Sequence, residues 1–384
     1  MRDPIQGHTP RRLSRRTTLA ALTAGLLVTV TGCGDISVTK TQAAADLLAR
    51  PKIDKTDGLR IGGEQIADRK LYEAAKGDTV ILYSGTGQEA EDLTIARFEK
   101  DTGIKVQLTR LPTNKLAERA LSEQGAGKLK ADAIRITDPL VARQFVKAGV
   151  YVPYRTPFHD KLAKGTALTS DSYWSGYNIV NALGYNSAVV TKDPPTGWQD
   201  LTDPRYNGKL GVVAITTGGS LAALTRFQLE VFGPDFLTAQ GRQKARIFDS
   251  TSTEVDALAR GEISIASLSF NNAFAAQLAG APIKLLVPKE GVSAAPSPLG
   301  LTARGVKSPA ARVFANWSMS KEGQRFAAAQ GFVPARTDIG TVKSGEYQLP
   351  AADSPRLHLL TEDEMRHYAD SDEKTWRRAF HFIG

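Results

Sequence analysis

A single stretch of the sequence, residues 79–108, decides the fold class: TVILYSGTGQEAEDLTIARFEKDTGIKVQL. It opens on an apolar run, residues 80–83, which is typical of a strand buried on both faces. Residues 88–100 then repeat apolar side chains at helical spacing, and Gly103 stands where a helix C-cap belongs. Apolar and polar residues alternate beyond it, which predicts a second strand. Strand, helix and strand in this order predict a parallel α/β sheet.

The same rhythm continues after this stretch. A second helix is predicted over residues 113–123, and a middle region rich in Tyr, Trp and Asn follows. The rhythm then restarts with strands over residues 210–215, 263–268 and 283–287 and helices over residues 221–231, 251–260 and 309–330. Thr251 and Glu254 fit a capping box at the start of the second of these helices. We predict two α/β units joined by a crossing strand near residues 179–185.

Composition excludes several classes of protein. The chain has 384 residues, 41% hydrophobic and 23% charged, which is a globular balance with room for two domains. Its single cysteine excludes an intramolecular disulfide and a CxxC site. The net charge is +9, but residues 1–32 hold five arginines against one aspartate. No basic run with interleaved aromatic residues follows, so we expect no nucleic-acid partner.

The N-terminus reads as an export signal. Four arginines between residues 11 and 16 precede an apolar run over residues 19–30, which is too short to cross a membrane as a stable anchor. The sequence Val30-Thr31-Gly32-Cys33 resembles a bacterial lipobox, which predicts lipidation of Cys33 and an anchor on the outer face of the cell membrane. Residues 14–19, SRRTTL, also resemble a twin-arginine motif, although Thr18 replaces the preferred Phe. Tat and Sec export both stay open.

Small polar residues follow several predicted strands and lead into helices. The free N–H groups of a helix start bind anions, and ligands of open α/β sheets lie outside these strand ends. The alternative is that each loop only caps its own helix, which is the favoured interpretation for Thr251. The candidate ligand-binding residues of these loops are Ser84, Gly85, Thr86, Thr113, Asp138, Thr216, Thr217, Gly219 and Ser220.

Four segments resemble one known family. They are FEKDTGIKV (residues 98–106), WQDLTDPRYNGK (198–209), ARGE (259–262) and ANWSMSKEGQ (315–324). Together they resemble bacterial extracellular solute-binding proteins of ABC importers, and the ferric-iron-like branch most closely, over residues 78–335. The resemblance implies a type II periplasmic-binding-protein-like fold. In it two lobes, each a mixed and mostly parallel sheet flanked by helices, are joined by hinge strands and close on a small solute.

This resemblance sets the expected organisation of the chain. Residues 1–32 are the signal peptide and residues 33–77 a lipidated, polar tether. Lobe 1 takes residues 78–182 and 293–343, and lobe 2 takes residues 183–292. Residues 344–384 form a C-terminal extension of unassigned role. The implied partners are a small solute and a membrane permease, and we expect a monomer.

The resemblance also bears on the ligand. Iron-binding members hold Fe(III) with adjacent tyrosines, and that pair falls on Asn271 and Asn272 here. Neutral carboxamides do not replace phenolates around a hard trivalent cation, but they hydrogen-bond well to organic solutes and oxyanions. We therefore expect a small organic or phosphorylated, phosphonate-like solute, no metal and no cofactor. Ferric iron remains the alternative, through Tyr173, Tyr177 or Tyr185.

Two enzyme classes are weaker alternatives. Residues 85–90 fit a GxGxxA dinucleotide fingerprint, and Arg110 would suit NADP, but the acidic residue expected downstream is absent. Residues 218–222 resemble a nucleophile elbow, with Asp353 and His358 following in hydrolase order, but no HGGG-type sequence exists. The absence of a convincing catalytic set predicts a binding protein without enzymatic activity.

Overall fold

The computed structural model describes residues 51–163 and 170–383. Its strands, numbered in chain order, are β1 (Ile53–Asp54), β2 (Leu59–Ile61), β3 (Glu64–Ala67), β4 (Thr79–Ser84), β5 (Lys105–Arg110), β6 (Ala133–Arg135), β7 (Trp174–Asn186), β8 (Leu210–Val213), β9 (Arg246–Phe248), β10 (Ile265–Ser269), β11 (Ile283–Leu286), β12 (Val292–Leu301), β13 (Val342–Ser344), β14 (Tyr347–Leu349) and β15 (Leu357–Leu359). Its helices are α1 (Arg69–Ala75), α2 (Gln88–Thr102), α3 (Thr113–Gly125), α4 (Pro139–Lys147), α5 (Gly219–Phe232), α6 (Pro234–Arg242), α7 (Thr251–Ala259), α8 (Phe270–Leu278), α9 (Ala303–Lys307), α10 (Pro309–Met319), α11 (Lys321–Ala329) and α12 (Glu362–Ala379).

Two long strands at the centre of the main sheet connect its halves. The strand order is β5-β4-β6-β12-β7-β10-β8-β9, with β11 also on β7 and β15 also on β12. β7 and β12 pair antiparallel from Asn181 and Ser293 to Trp174 and Leu299. On either side of them, β4 pairs parallel with β5 and β6, and β8 pairs parallel with β9 and β10. The mixed α/β class and the crossing strand near residues 179–185 are thereby confirmed.

The stretch that decides the fold class folds as predicted, into β4, α2 and β5. Val80 and Leu82 are fully buried on one face of β4 and Tyr83 is buried on the other, as a strand covered on both faces requires. Gly103 ends α2 with a φ of 84°, and its N–H donates to the Glu99 carbonyl. A left-handed residue at this place is the ordinary helix C-cap that glycine supplies.

The start of α7 differs from the prediction. Ser250, not Thr251, is its N-cap, and the Ser250 Oγ accepts from the Thr253 N–H. Glu254 does not complete a capping box. Its side chain is fully buried, neither carboxylate oxygen has a hydrogen-bond partner among the described residues, and burial raises its pKa well above the ordinary value. The N-cap lies one residue earlier than predicted because serine caps a helix better than threonine, and Ser250 stands directly before Thr251.

The predicted tether is wrong for residues 51–77. These residues form the antiparallel sheet β1-β2-β3 and helix α1, with Leu59, Ile61 and Tyr72 buried. The Tyr72 hydroxyl donates to the Thr102 carbonyl at 2.8 Å, which ties α1 to the end of α2. The strands are too short, at two to four residues, to produce a recognisable alternation in the sequence.

The C-terminal segment, residues 342–383, folds onto the rest of the protein. β15 pairs parallel with the first residues of β12, and α12 packs against α5 and α6. Trp376 and Phe380 are buried in the same apolar core as β8 and β10. At the other end of α12, Glu362 accepts from the Tyr173 hydroxyl at 3.1 Å and pairs with Arg143 Nε at 2.6 Å. Residues 342–383 are therefore packed into the folded protein and are not a separate extension.

Within residues 51–163 and 170–383, no helix has the length and apolarity needed to span a membrane. The predicted signal peptide, Cys33 and the tether up to residue 50 lie outside the described residues.

Candidate functional site

The predicted ligand loops meet along one seam. On one side lie the loops after β4, β5 and β6, and on the other the loops after β8 and β10. A Cβ added to Gly219 would lie 2.9 Å from the Thr137 carbonyl oxygen and 3.4 Å from the Asp138 Cα. A Cβ on Gly87 would lie 3.6 Å from Asn272 Oδ1. The two sides are thus in direct contact, and glycine at residue 219 is what permits the closest approach.

Four of the helices that begin at this seam have no side-chain cap from their N-cap residue. The helices α2, α3, α5 and α8 follow Gly87, Pro112, Gly218 and Ser269, and none of these N-caps makes a side-chain hydrogen bond. Seven of the other eight described helices have a side-chain cap, supplied by Asp68, Asp138, Ser250, Thr302, Ser308, Ser320 and Thr361. Uncapped donors and the positive ends of helix dipoles therefore concentrate at the seam.

A buried ion pair underlies the loop after β4. Arg135 Nη1 donates to both Glu91 oxygens, at 2.7 and 2.8 Å, and both side chains are almost fully buried. Burial alone would lower the pKa of Arg135, but the charge of Glu91 outweighs it and the net shift is upward. Ser84 Oγ donates to Glu91 at 2.6 Å, and Thr86 Oγ1 lies 2.8 Å from the Tyr177 hydroxyl. This network fixes the conformation of the loop that presents Gly87 to the seam.

The remaining polar residues of the first side also have structural partners. Thr113 Oγ1 lies 2.9 Å from Thr137 Oγ1, and the Gly85 N–H donates to the Arg135 carbonyl. Asp138 accepts from the Leu140 N–H at 2.8 Å and so caps its own helix, while burial raises its pKa. For Asp138 the capping alternative accounts for the side chain.

On the second side, Asn271 and Asn272 form a chain of carboxamides. Ser269 Oγ donates to Asn271, Asn271 donates to Asn272 at 2.8 Å, and Asn272 donates to Thr251 Oγ1 at 2.8 Å. Both asparagines have their orientation set by neighbours. The loop of residues 216–220 is held differently, since the Ser220 carbonyl accepts from Asn181 of β7 at 2.9 Å. Thr216 and Thr217 are exposed.

A cavity of about 580 Å³ opens along one end of the seam. Of the predicted site residues, only Asn271 and Asn272 line it, beside Gly87, Gln88 and Glu89 of the first side and Ser252 and Asp256 of the second. The residues around Gly219 are packed against Thr137 instead. The structure therefore brings all the predicted loops together but gives only one end of the seam space for a solute, of the size typical for small-molecule sites.

The sequence patterns did not identify Glu91 and Arg135 as residues that support the site. They indicated Arg110 only as a residue suited to NADP. Arg110 Nε donates to the Thr86 carbonyl at 3.1 Å, which places a cation beside the loop after β4. A charged residue inside the apolar run Ala133-Ile134-Arg135-Ile136 was the available signal for a buried ion pair. Nothing in the helical pattern of α2 marked Glu91 as its partner.

Two of the three tyrosines proposed for a metal, Tyr173 and Tyr177, are engaged elsewhere, and Tyr185 is partly buried against the apolar core. Burial raises the pKa of Tyr177 to about 12, and its ring stacks on Phe332 with centroids 4.1 Å apart. Burial and the neighbouring Glu362 also raise the pKa of Tyr173. Raised values disfavour the phenolate that Fe(III) needs. Among the described residues, no cluster of three or more His, Cys, Asp or Glu could hold a metal.

The features proposed for enzymes have other surroundings here. His358 Nε2 lies 3.0 Å from the Glu290 carbonyl oxygen, and its ring centroid lies 4.7 Å from that of Phe227. The segment from Gly218 to Ala222 begins α5 as a plain helix start, with its loop against Thr137.

Solved structures share this architecture. The periplasmic binding protein AfuA from Actinobacillus pleuropneumoniae, with fructose-6-phosphate bound, is 17% identical, with a TM-score of 0.61 over 80% of this chain and 100% of that one. Iron-bound HitA from Pseudomonas aeruginosa is 20% identical, with a TM-score of 0.61 over 78% and 99%. These likenesses establish the fold, and the two-lobed, type II class of periplasmic binding proteins is confirmed.

The family follows from the sequence match. The model for bacterial extracellular solute-binding proteins matches residues 94–352, and the chain belongs to this family. A relative, the spermidine/putrescine-binding periplasmic protein 1 of Haemophilus influenzae, is 24% identical over 277 residues, which are 65% of this chain and 72% of that protein. Membership places the protein outside the cytoplasm, as a solute-binding component of transport.

Proposed function

We propose that this protein captures a small organic or phosphorylated oxyanion solute, phosphonate-like in its head group, and delivers it to the permease of an ABC importer. The carrying observation is the pair of uncapped helix starts, those of α2 and α8, that line the cavity at the open end of the seam. Backbone N–H groups at helix N-termini bind oxyanions without a dedicated cation. The carboxamides of Asn271 and Asn272 add donors and acceptors at the open end.

Capture requires the seam to open. β7 and β12 run through both halves of the sheet, so we propose them as the hinge between lobe 1 (residues 78–182 and 293–343) and lobe 2 (residues 183–292). The Gly219–Thr137 contact then belongs to the closed state. A solute that contacts both sides of the seam favours that closed state over the open one.

Ferric iron is the second candidate ligand, because iron-binding proteins share the fold. The donor set opposes it. Asn271 and Asn272 are neutral. The Tyr173 hydroxyl donates a hydrogen bond to Glu362, and Tyr177 is buried against Thr86. Hard trivalent cations need anionic oxygen ligands.

Thermal-shift and calorimetric titrations test the ligand class. The probes are inorganic phosphate, methylphosphonate, fructose 6-phosphate, putrescine and ferric citrate. We expect an oxyanion to raise Tm, since a ligand at 100 Kd stabilises by about 2.7 kcal/mol. Asn272→Ala should weaken that binding about tenfold, through loss of a hydrogen-bonding carboxamide.

Asn207→Ala, in an exposed turn before β8, is the matched control and should bind as the wild type does. Stabilisation by putrescine alone would contradict the oxyanion proposal. A visible tyrosinate–Fe(III) band on adding ferric citrate would establish the iron alternative.

The proposal includes export and lipid anchoring through Cys33, by the lipobox sequence alone. Metabolic labelling with a palmitate analogue should mark the wild-type protein in the membrane fraction, and Cys33→Ala should lose the label completely. The reason is that the chain contains no second cysteine. Equal labelling of both proteins would disprove the anchor.

A further inference from the structure

The cavity at the end of the seam has two chemically different walls. Its polar wall contains Gly87, Ser252, Asn271 and Asn272, where α2, α7 and α8 begin. Its apolar wall is built by side chains farther along the same three helices: Leu93 from α2, Val255 and Ala259 from α7, and Phe274, Leu278 and Ala279 from α8 and its end. A solute that fills the cavity therefore contacts polar groups at one end and hydrocarbon at the other.

Leu93 is the most telling residue of the apolar wall. It is 40% exposed and one of four exposed large hydrophobic side chains in the described part of the chain. The other three, Val146, Val189 and Ile383, do not line this cavity. A single exposed leucine is ordinary on a protein surface, but this one shares a cavity with Phe274 and Leu278. Exposed hydrocarbon of this kind gains free energy when an apolar ligand group covers it.

The charges around the cavity restrict the polar part of the solute. Glu89 and Asp256 line it, and no lysine or arginine does among the described residues. One oxyanion group can be held by the helix N-termini and the asparagine carboxamides. A second anionic group would lie near the two carboxylates, without a cation to offset the repulsion. Sugar hydroxyls turned to the apolar wall would lose their hydrogen bonds with water, and beyond the helix starts only Asp256 and Gln330 of the lining side chains carry polar groups to replace them.

We propose that the solute is an amphipathic monoanion, with one phosphonate-like or carboxylate head on the polar wall and a short aliphatic or aromatic body on Leu93, Leu278 and Ala279. This inference rests on the proposed function and narrows its ligand class. Leu93 is a specificity-determining residue, because it selects the body of the solute and not its head.

A series of n-alkylphosphonates, from methyl to pentyl, tests the inference by calorimetry. Burial of each added methylene should lower Kd about fourfold until the apolar wall is covered. In Leu93→Ser the dependence of Kd on chain length should fall by more than half. Val189→Ser removes an even more exposed aliphatic group outside the cavity and should keep the full dependence.

The outcomes distinguish a failure of the amphipathic ligand class from a failure of the proposed oxyanion-binding function. Binding of methylphosphonate with no gain from longer chains would overturn the amphipathic class and leave the oxyanion-binding function standing. An equal loss of chain-length dependence in both serine variants would overturn the role of Leu93. Failure of phosphate and every phosphonate to bind would overturn the proposed function itself.

Discussion

Replacement of Arg135 by alanine should lower the free energy of unfolding by about 3–5 kcal/mol. The substitution leaves the carboxylate of Glu91 fully buried, and of the described residues only Ser84 then stabilises its charge, through its hydroxyl. It also removes the cation that lies over the Tyr177 ring, 5.0 Å from the centroid. Urea denaturation followed by circular dichroism measures the loss.

Arg246→Ala is the matched control, because Arg246 pairs with Glu262 while 52% of its side chain is exposed. Solvent screening limits such a pair to about 0–1 kcal/mol. The double variant Arg135→Met, Glu91→Leu removes both buried charges and should recover much of the stability lost in Arg135→Ala. If Arg135→Ala and Arg246→Ala cost the same, the ion pair is not the constraint that we describe.

Truncation of Trp376 to alanine should cost about 3–5 kcal/mol, as for other large-to-small changes in a core. The indole is 4% exposed and lies 4.8 Å from the ring of Phe380, centroid to centroid. A thermal melt reports the loss as a lower Tm. The effect follows only if α12 is an integral part of the folded protein.

Lys374→Ala, on the exposed side of the same helix, tests helix propensity without core packing and should change stability by less than about 0.5 kcal/mol. If the Trp376→Ala protein were as stable as the Lys374→Ala protein, the C-terminal segment would not be an integral part of the folded protein.

The sequence predicts the secondary structure correctly where the local sequence signals are strong. β4, α2 and β5 were predictable because an apolar run, helical spacing and a C-cap glycine all agree over residues 79–108. The sheet over residues 51–67 was not, because its three strands are short and take their stability from α1 and α10, far apart in sequence. The burial of Trp376 likewise depends on α5 and α6, which no local pattern can specify.

The candidate site shows the same division. Helix starts at strand ends indicated the loops of the seam, because this edge of an α/β sheet collects them by topology. Which loops touch and which leave a cavity depends on contacts such as Gly219 with Thr137, between segments about 80 residues apart. The apolar wall was also hidden, since Leu93 reads as an ordinary core position on its helix.

The tie between α12 and the first half of the protein has an energetic consequence for solute capture. Trp376 and Asp372 fix α12 to one side of the seam, while Glu362 is bonded to Tyr173 and Arg143 on the other. Any hinge motion at β7 and β12 must break this tie or bend the helix. With the proposed hinge, this tie makes the open form a smaller fraction of the solute-free molecules. The apparent affinity for a solute scales with the fraction of molecules that are competent to bind it. With the hinge that we propose, α12 thus raises the free-energy cost of opening, although none of its residues lines the cavity.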